Sequence, residues 1–586
     1  MIGAWTVGAA MLTGFLQVLQ MSFRHFVLDN FVWVSREYVW MIPAGYAIVF
    51  ATVGALLALL AAASPRLIGP RATGFVFGFL GSLAILLLLP RIHVLALLVV
   101  ALGIGSRVAV WAAGDARGRT RVMARTGIVL ALAFAVAGAG LTTMRRWNER
   151  AAATSLVAAD AQAPNVLLII LDTVRAADIG FLGYERETTP SIGRRASEGA
   201  VFEQAHATAP WTLPSHAGMF TGLYPSALQA DWLEPVQKEP RTLAEIFRAN
   251  GYMTAGFAAN HFYTGWESGL TRGFAHYEDY LVTTRQVLLS TTFFQTNLWW
   301  SVRHDHSLRN VFRALTHLDL RTDPMWNSDR ANAERMTSQF LGWERTRPSR
   351  PFFAFINLFD AHTPYDPPNP WLRRFASKPT ERDGYDGAIA YADHEVGVLL
   401  DSLEKRGALD NTVVVVTSDH GEELGEHGLN GHGKSLYRLE LHVPLIVRYP
   451  PRVPRGTRVS KVVSLRDLGA TLLDLAGVNT RGAFPGVSLA RTWSGGAAPG
   501  SAAISEVSAG IRTEPGDPVS RGPMRSLIDD EIHYIHNGDD VDELYDWHRD
   551  PAEVQNRAHL DTARVSSARR RLGFPWPPRS ARQQKR

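Results

Sequence analysis

The sequence predicts two unlike parts in one chain: an all-helical membrane domain over residues 1–146 and an α/β domain after it. Three observations carry this reading. Charge is divided unevenly. Residues 1–150 hold 13 Arg, no Lys and 4 acidic residues, a net of +9, whereas residues 151–586 are net −4. Five apolar stretches near bilayer-spanning length crowd the first 146 residues. Beyond them, the short apolar runs Val166–Leu171, Phe352–Phe359 and Thr412–Thr417 alternate with amphipathic stretches, as buried parallel strands and their covering helices do. At 586 residues the chain is also too long for a single core.

The apolar stretches are 3–22, 39–63, 72–89, 92–113 and 126–144. Gln17 and Gln20 interrupt the first, which lacks the basic start and small-residue cleavage site of a signal peptide. Arg66 and Arg71 lie in the second connection, and Arg117, Arg119, Arg121 and Arg125 in the connection Asp115–Arg125. By the excess of Arg in cytoplasmic loops, the N-terminus is inside, and five crossings put the rest of the chain on the outer, periplasmic or extracellular, side of the cell membrane. Arg145, Arg146 and Arg150 oppose that orientation.

Residues 147–163 read as an Ala-rich linker, 164–500 as the main α/β domain, 501–565 as a small C-terminal subdomain and 566–586 as a disordered basic tail. Helices fit Thr242–Asn250, Ala331–Trp343, Tyr385–Lys405 and Leu465–Leu475. Residues 281–330 break the rhythm as an inserted, aromatic-rich helical region. Its Phe293, Phe294, Trp299 and Trp300 suit either the membrane–water interface, bringing a lipid-linked substrate near, or a packed core. The sequence has no Cys, which excludes disulfides, thiolate zinc sites and a Cys nucleophile. The pI of 9.4 arises from the N-terminal Arg residues. The α/β domain carries no basic stripe, so a nucleic-acid partner is not expected.

Three features carry chemistry. Each strand candidate runs into an acidic residue: Asp172, Asp360 and Asp419. Ligand sites in open α/β sheets lie outside the carboxyl ends of the strands, and His362 and His420 close by favour a metal or anion site over three unrelated helix caps. Next, Trp211-Thr212-Leu213-Pro214-Ser215-His216 places Pro in an early turn of a helix with Thr212 at or near its N-cap. That Thr is either a cap or a hydroxyl nucleophile beside backbone N–H groups able to hold an oxyanion. The third is His427-Gly428-Leu429-Asn430-Gly431-His432-Gly433-Lys434, a Gly-rich loop that is either plain surface or a close approach to an anion.

These motifs, with Asn165–Asp172, Thr221-Gly222, Asp360-Ala361-His362-Thr363-Pro364-Tyr365, Ser418–Glu422, Gly425–Gly428, Gly433–Tyr437 and Glu543-Leu544-Tyr545-Asp546, resemble the sulfatase family of the alkaline phosphatase superfamily, in the family's order. The resemblance implies an α/β sandwich around a central mixed sheet, a small C-terminal subdomain and a divalent metal. Sulfatases carry a formylglycine precursor, Cys or Ser, in C/S-x-P-x-R. Here Thr212 holds that position and His216 the Arg position, Thr173 replaces a second metal-binding Asp, and His420 replaces an Asn. A Thr nucleophile beside an Asp-His pair is similar to lipoteichoic acid synthases, phosphoethanolamine transferases and nucleotide pyrophosphatases. The first of these also have a five-helix membrane domain.

On this resemblance Asp172, Asp419 and His420 hold one divalent metal, with Thr212 completing the shell as nucleophile. Lys434, His362 and His216 bind substrate oxygens, Lys434 also acting in catalysis, and His432 protonates the leaving group. The N/O ligands suit manganese or zinc better than calcium or magnesium. Asp360 is left out, since Pro364 breaks the D-x-x-x-H spacing of a second site. The expected function is a membrane-anchored hydrolase or transferase acting on phosphate or sulfate esters. Phosphoryl transfer is favoured because a Thr sulfate ester lacks the elimination route open to a formylglycine hydrate. The alternatives are a sulfatase without formylglycine and a non-catalytic anion-binding relative.

Overall fold

The computed structural model of the chain describes residues 1–573 apart from 29–30, 33, 90–91, 161, 229, 233, 295–329, 348, 479, 481–483, 495–501 and 511–512. The chain divides into two compact units, one of residues 1–148 and 281–329, the other of 149–280 and 330–586.

The first unit is built on α1 (Ile2–Phe26), α2 (Tyr38–Ala63), α3 (Pro70–Leu86), α4 (Val94–Gly114) and α5 (Ala116–Thr154). Each expected span is a helix, and α1, α2, α4 and α5 are long and apolar enough to cross a membrane. At 17 residues α3 falls short of that length, at about 26 Å against a hydrocarbon layer of about 30 Å. The expected Arg-rich connection 115–125 is instead helix from Ala116 onward, leaving Asp115 as the turn. The Asp115 carboxylate accepts from the Gly118 N–H at 2.9 Å and so starts the new helix. The expected linker is also helical as far as Thr154, because its Ala-rich composition favours continuing α5.

Gln17, which weakened the first span in sequence, is buried and satisfied. It accepts from the Tyr46 hydroxyl at 2.6 Å and donates to the Ser290 carbonyl at 2.9 Å. Thr292 donates to the Ala84 carbonyl at 2.8 Å and lies 2.7 Å from the Tyr46 hydroxyl. The inserted segment around helix Thr284–Leu289 therefore belongs with these helices. Phe293 stands edge-on to Tyr46 at 6.0 Å within their apolar cluster. It packs against that cluster and stays partly exposed. Trp299 and Trp300 lie outside the described residues.

The second unit is built around a mixed eight-stranded sheet. Its strands are β1 (Asn165–Leu171), β2 (Ala200–His206), β3 (Met253–Ala258), β4 (His276–Glu278), β5 (Phe352–Leu358), β6 (Thr412–Thr417), β9 (His442–Arg448) and β10 (Thr457–Ser464). The short pair β7 (Glu423–Leu424) and β8 (Asn430–Gly431) stands apart from it. The order is β10-β2-β9-β6-β1-β5-β3-β4, with β6, β1, β5 and β3 mutually parallel at the centre. Successive side chains of a strand point to opposite faces, so the unbroken burial of β3, β5 and β6 means that both faces are covered.

The C-terminal subdomain is an antiparallel sheet of β11 (Ala502–Val507), β12 (Met524–Asp529), β13 (His533–His536) and β14 (Asp542–Tyr545). Helix Thr562–Leu572 packs Ala568 and Leu572 against Leu527, Tyr534 and Leu544. The expected tail from residue 566 is thus helical as far as Leu572. The apolar i, i+4 pair Ala568 and Leu572 is what anchors it.

Candidate active site

The parallel strands β1, β5, β6 and β3 bring four polar residues to one edge of the sheet. Asp172 follows β1, Asn357 lies near the end of β5, Asp419 follows β6, and Asn260 comes two residues after β3. All four are buried. Asp172 Oδ2 accepts from Asn260 Nδ2 at 3.0 Å and from Asn357 Nδ2 at 3.1 Å. Asp419 Oδ1 accepts from the backbone N–H groups of His420 at 2.9 Å and Thr173 at 3.2 Å. Thr173 adopts a φ of 63°, in the left-handed region that a β-branched residue rarely visits. That conformation is what aims its N–H at Asp419, and its hydroxyl lies 2.9 Å from the Ala361 carbonyl.

The other carboxylate oxygens, Asp172 Oδ1 and Asp419 Oδ2, have no hydrogen-bond partner and no exposure. His420 presses Nδ1 against the Gly421 carbonyl at 2.9 Å. A carbonyl only accepts, so Nδ1 carries the proton and Nε2 presents its lone pair. Ligand atoms of Asp172, Asp419 and His420 lie within 4.8 Å of one another. Two orphaned carboxylate oxygens and one imidazole lone pair converging in a buried place fit a divalent metal. Burial and the neighbouring Asp419 charge raise the Asp172 carboxyl to about 8, and burial raises that of Asp419 to about 7. Loss of water around a carboxylate disfavours its charged form, and at Asp172 the second carboxylate adds to this.

Thr212 is the first residue of helix Thr212–Thr221, with Trp211 as the residue before it. Its Oγ1 lies 3.3 Å from His420 Nε2 and 3.4 Å from Asn260 Nδ2. The hydroxyl therefore stands at the ligand cluster and does not cap the helix. Ser215 donates to the Asp419 carbonyl at 2.6 Å and plays a structural part. His216 points Nδ1 at the Thr212 carbonyl, 2.8 Å away, with Asp419 Oδ2 at 3.5 Å. It is fully buried, packed edge-on to Phe355, and burial lowers its pKa to about 3, so it is neutral. It lies among core residues one helical turn from Thr212.

His432 holds Glu422 Oε1 at 3.0 Å through Nδ1, and its ring centroid is 4.5 Å from that of His420. His362 lies 5.1 Å from His432. Burial and the nearby Arg330 cation hold His362 well below the usual imidazole range, so it too is neutral. Lys434 is turned toward Asp517, with Nζ 3.6 Å from Oδ1. The loop before it is close to Thr212 all the same. Gly433 has a φ of 75°, and a Cβ there would lie 2.7 Å from Trp211 Cε3. Trp211 stacks on Trp232 with ring centroids 3.3 Å apart. Asp360 spends Oδ1 on the Ala333 N–H at 3.2 Å, at the start of helix Ala333–Thr346, and is not part of the ligand cluster.

Asn260, Asn357 and Arg330 were not foreseen. A signal existed for Asn357, the one polar residue within the apolar run Phe352–Phe359, and for Asn260, which ends the apolar run Ala255–Ala259. Arg330 sits in no motif.

The sulfatase family profile matches residues 164–478, more than half of the chain. The chain is 25% identical over 378 residues to an arylsulfatase of Clostridium perfringens, covering 56% of this chain and 77% of that protein. It is 25% identical over 467 residues to the uncharacterised sulfatase YidJ of Escherichia coli, covering 70% of this chain and 85% of that protein. Among solved structures, the phosphonate monoester hydrolase of Agrobacterium radiobacter superposes with a TM-score of 0.54 at 21% identity, over 70% of this chain and 95% of that one. The mixed sheet, the buried ligand cluster at its carboxyl edge and the extent of the profile match agree, and the chain belongs to the sulfatase family within the alkaline phosphatase superfamily.

Proposed function

We propose that this sulfatase-family hydrolase is a membrane-anchored enzyme that cleaves phosphate or phosphonate esters with Thr212 as its nucleophile. The observation that carries the reading is the Thr212 hydroxyl, 3.3 Å from His420 Nε2 beside the two orphaned carboxylate oxygens. Asp172, Asp419 and His420 would hold the divalent metal, zinc or manganese by their donor set. Bound there, it would supply Lewis-acid polarisation and a lowered hydroxyl pKa.

The chain's own groups account for the remaining work. Asn260 donates to both Asp172 and Thr212 and so fixes the hydroxyl relative to the carboxylate. Thr212 Oγ, its proton passing to water, would form a bond to the ester's phosphorus as the bond to the leaving oxygen breaks. His432, held by Glu422, would give that oxygen a proton. Attack by water at the same phosphorus then breaks the Thr212–phosphorus link, one of that water's protons returning to Thr212 Oγ and the other to His432. A Thr ester of phosphate permits this second displacement, whereas a Thr sulfate ester has no elimination route. The sulfatase names of the relatives favour a second reading, sulfate ester hydrolysis at the same residues. In both readings α1–α5 anchor the chain, with the catalytic unit on the outer side.

The test is turnover of aryl phosphate diesters, phosphonate monoesters and sulfate esters by the full-length chain and by Thr212→Ala. Turnover of the phosphorus esters that disappears in Thr212→Ala supports the first reading. Turnover confined to sulfate esters selects the second. Undiminished turnover in Thr212→Ala overturns the assignment of the nucleophile.

A further inference from the structure

Positive charge is scarce around Thr212. His420 Nδ1 is spent on the Gly421 carbonyl and His216 Nδ1 on the Thr212 carbonyl. Lys434 faces Asp517. Arg330 is different. Its Nη1 donates to the His362 carbonyl at 2.8 Å, its Nη2 donates to the Thr363 carbonyl, and its guanidinium lies over the Phe359 ring, 4.5 Å from the centroid. Among the described residues no carboxylate forms an ion pair with it. Asp172, Asp360 and Glu422 act on it only at longer range.

The guanidinium is nevertheless linked to the site, and the Asp172 carboxylate acts on it. A row of rings leads to it from Thr212: His420, then His432 at 4.5 Å, then His362 at 5.1 Å, whose Nδ1 is 3.4 Å from Arg330 Nη2. Two carbonyls and an aromatic face fix its plane. A third contact, to His362, still leaves at least two of its five N–H groups unspent among the described residues. A partly buried cation with no carboxylate in contact among the described residues is stabilised by a ligand that brings one. A guanidinium is also the side chain best matched to two oxygens of a tetrahedral oxyanion.

We propose that Arg330 is the anion-binding residue of this site and sets its preference for esters carrying a single negative charge. Its N–H groups receive a non-bridging oxygen of the ester on the side away from Thr212. The class of substrate is a singly charged tetrahedral ester: a phosphate diester, a phosphonate monoester or a sulfate monoester. With the carboxylates of Asp172 and Asp419 offset by a divalent cation, Arg330 is the cation that faces the ester, while Asp360 and Glu422 add negative charge at longer range. A doubly charged phosphate monoester would bring a second negative charge that Arg330 does not meet and that Asp360 and Glu422 repel. This rests on the reading of Thr212 as the reacting centre.

The test is calorimetric titration of the full-length, metal-loaded chain in detergent, in a Thr212→Ala background so that binding is read without turnover. The probes are p-nitrophenyl phenylphosphonate and p-nitrophenyl sulfate, singly charged, and p-nitrophenyl phosphate, doubly charged at about pH 8. The singly charged probes are expected to bind about tenfold or more tightly than the doubly charged one. Arg330→Gln should weaken them by roughly 10- to 100-fold, with Arg330→Lys recovering part of the loss and metal content unchanged. Equal affinity for singly and doubly charged probes overturns the proposal, as does unchanged affinity in Arg330→Gln. If Arg330→Gln does not fold, the comparison of probe charges on the Arg330 protein decides alone. A wrong nucleophile would show separately, as turnover surviving in Thr212→Ala.

Discussion

At the scale of single residues, the site depends on groups that burial has pushed away from their ordinary protonation. Asp172 and Asp419 have carboxyls raised to about 8 and 7, chiefly by burial. Their folded pKa lies above the unfolded value, so without metal the folded state binds the extra protons. The stability they contribute is then present in acid and lost as pH rises from about 4 toward 8. Metal needs the deprotonated forms, so its affinity should climb over the upper part of that window. Melting temperature against pH, with and without zinc, checks both signs. A metal-free protein that gains stability from pH 5 to pH 8 would contradict them. Asp419→Asn should cut bound metal at least tenfold, read by metal analysis of the purified chain. The three Asp residues at strand ends were legible because an acidic residue after an apolar run is conspicuous. Asn260, Asn357 and Arg330 were not, because amide and guanidinium groups take meaning from what the fold brings to them.

At the scale of elements, the loop 430–434 and the start of helix Thr212–Thr221 are fitted to each other. Gly433 combines a φ of 75° with Trp211 Cε3 at 2.7 Å from the place of a Cβ. Gly433→Ala should cost about 1–3 kcal/mol in stability and lower kcat more than it changes metal content, by displacing Trp211 and with it Thr212. Denaturant unfolding beside single-turnover kinetics measures both. The inserted segment offers a second case. Thr292→Val removes a donor to the Ala84 carbonyl and a partner of the Tyr46 hydroxyl, both buried. We expect a loss of about 1–3 kcal/mol, read as a lower melting temperature of the detergent-solubilised chain. Strands were legible nearly to the residue where apolar runs were unbroken, as at Thr412–Thr417. Connections were not. The run Asp115–Arg125 looked like a loop by its charge, yet Arg is a good helix former and Asp115 supplies the cap. Residues 566–572 looked disordered by composition, and only the partner sheet shows why they are not.

At the scale of the whole molecule, five N-terminal helices and a sulfatase-family unit share one chain, and that division was visible in the charge and hydropathy of the sequence alone. The association of residues 281–294 with the helical unit was not, because it pairs positions about 250 residues apart through Gln17, Tyr46 and Thr292. If α1–α5 anchor the chain, the full-length protein should stay with membranes through an alkaline carbonate wash, and recovery in the soluble fraction would count against anchoring. The central claim is that Thr212 becomes covalently linked to the substrate's phosphorus or sulfur. The most direct measurement is mass spectrometry of the acid-quenched, metal-loaded enzyme after mixing with p-nitrophenyl phenylphosphonate and, separately, with p-nitrophenyl sulfate. The account predicts a phenylphosphonyl or sulfuryl adduct on Thr212 in at least one reaction, absent in Thr212→Ala. An adduct on another residue, or full turnover with Thr212 never modified, would contradict it.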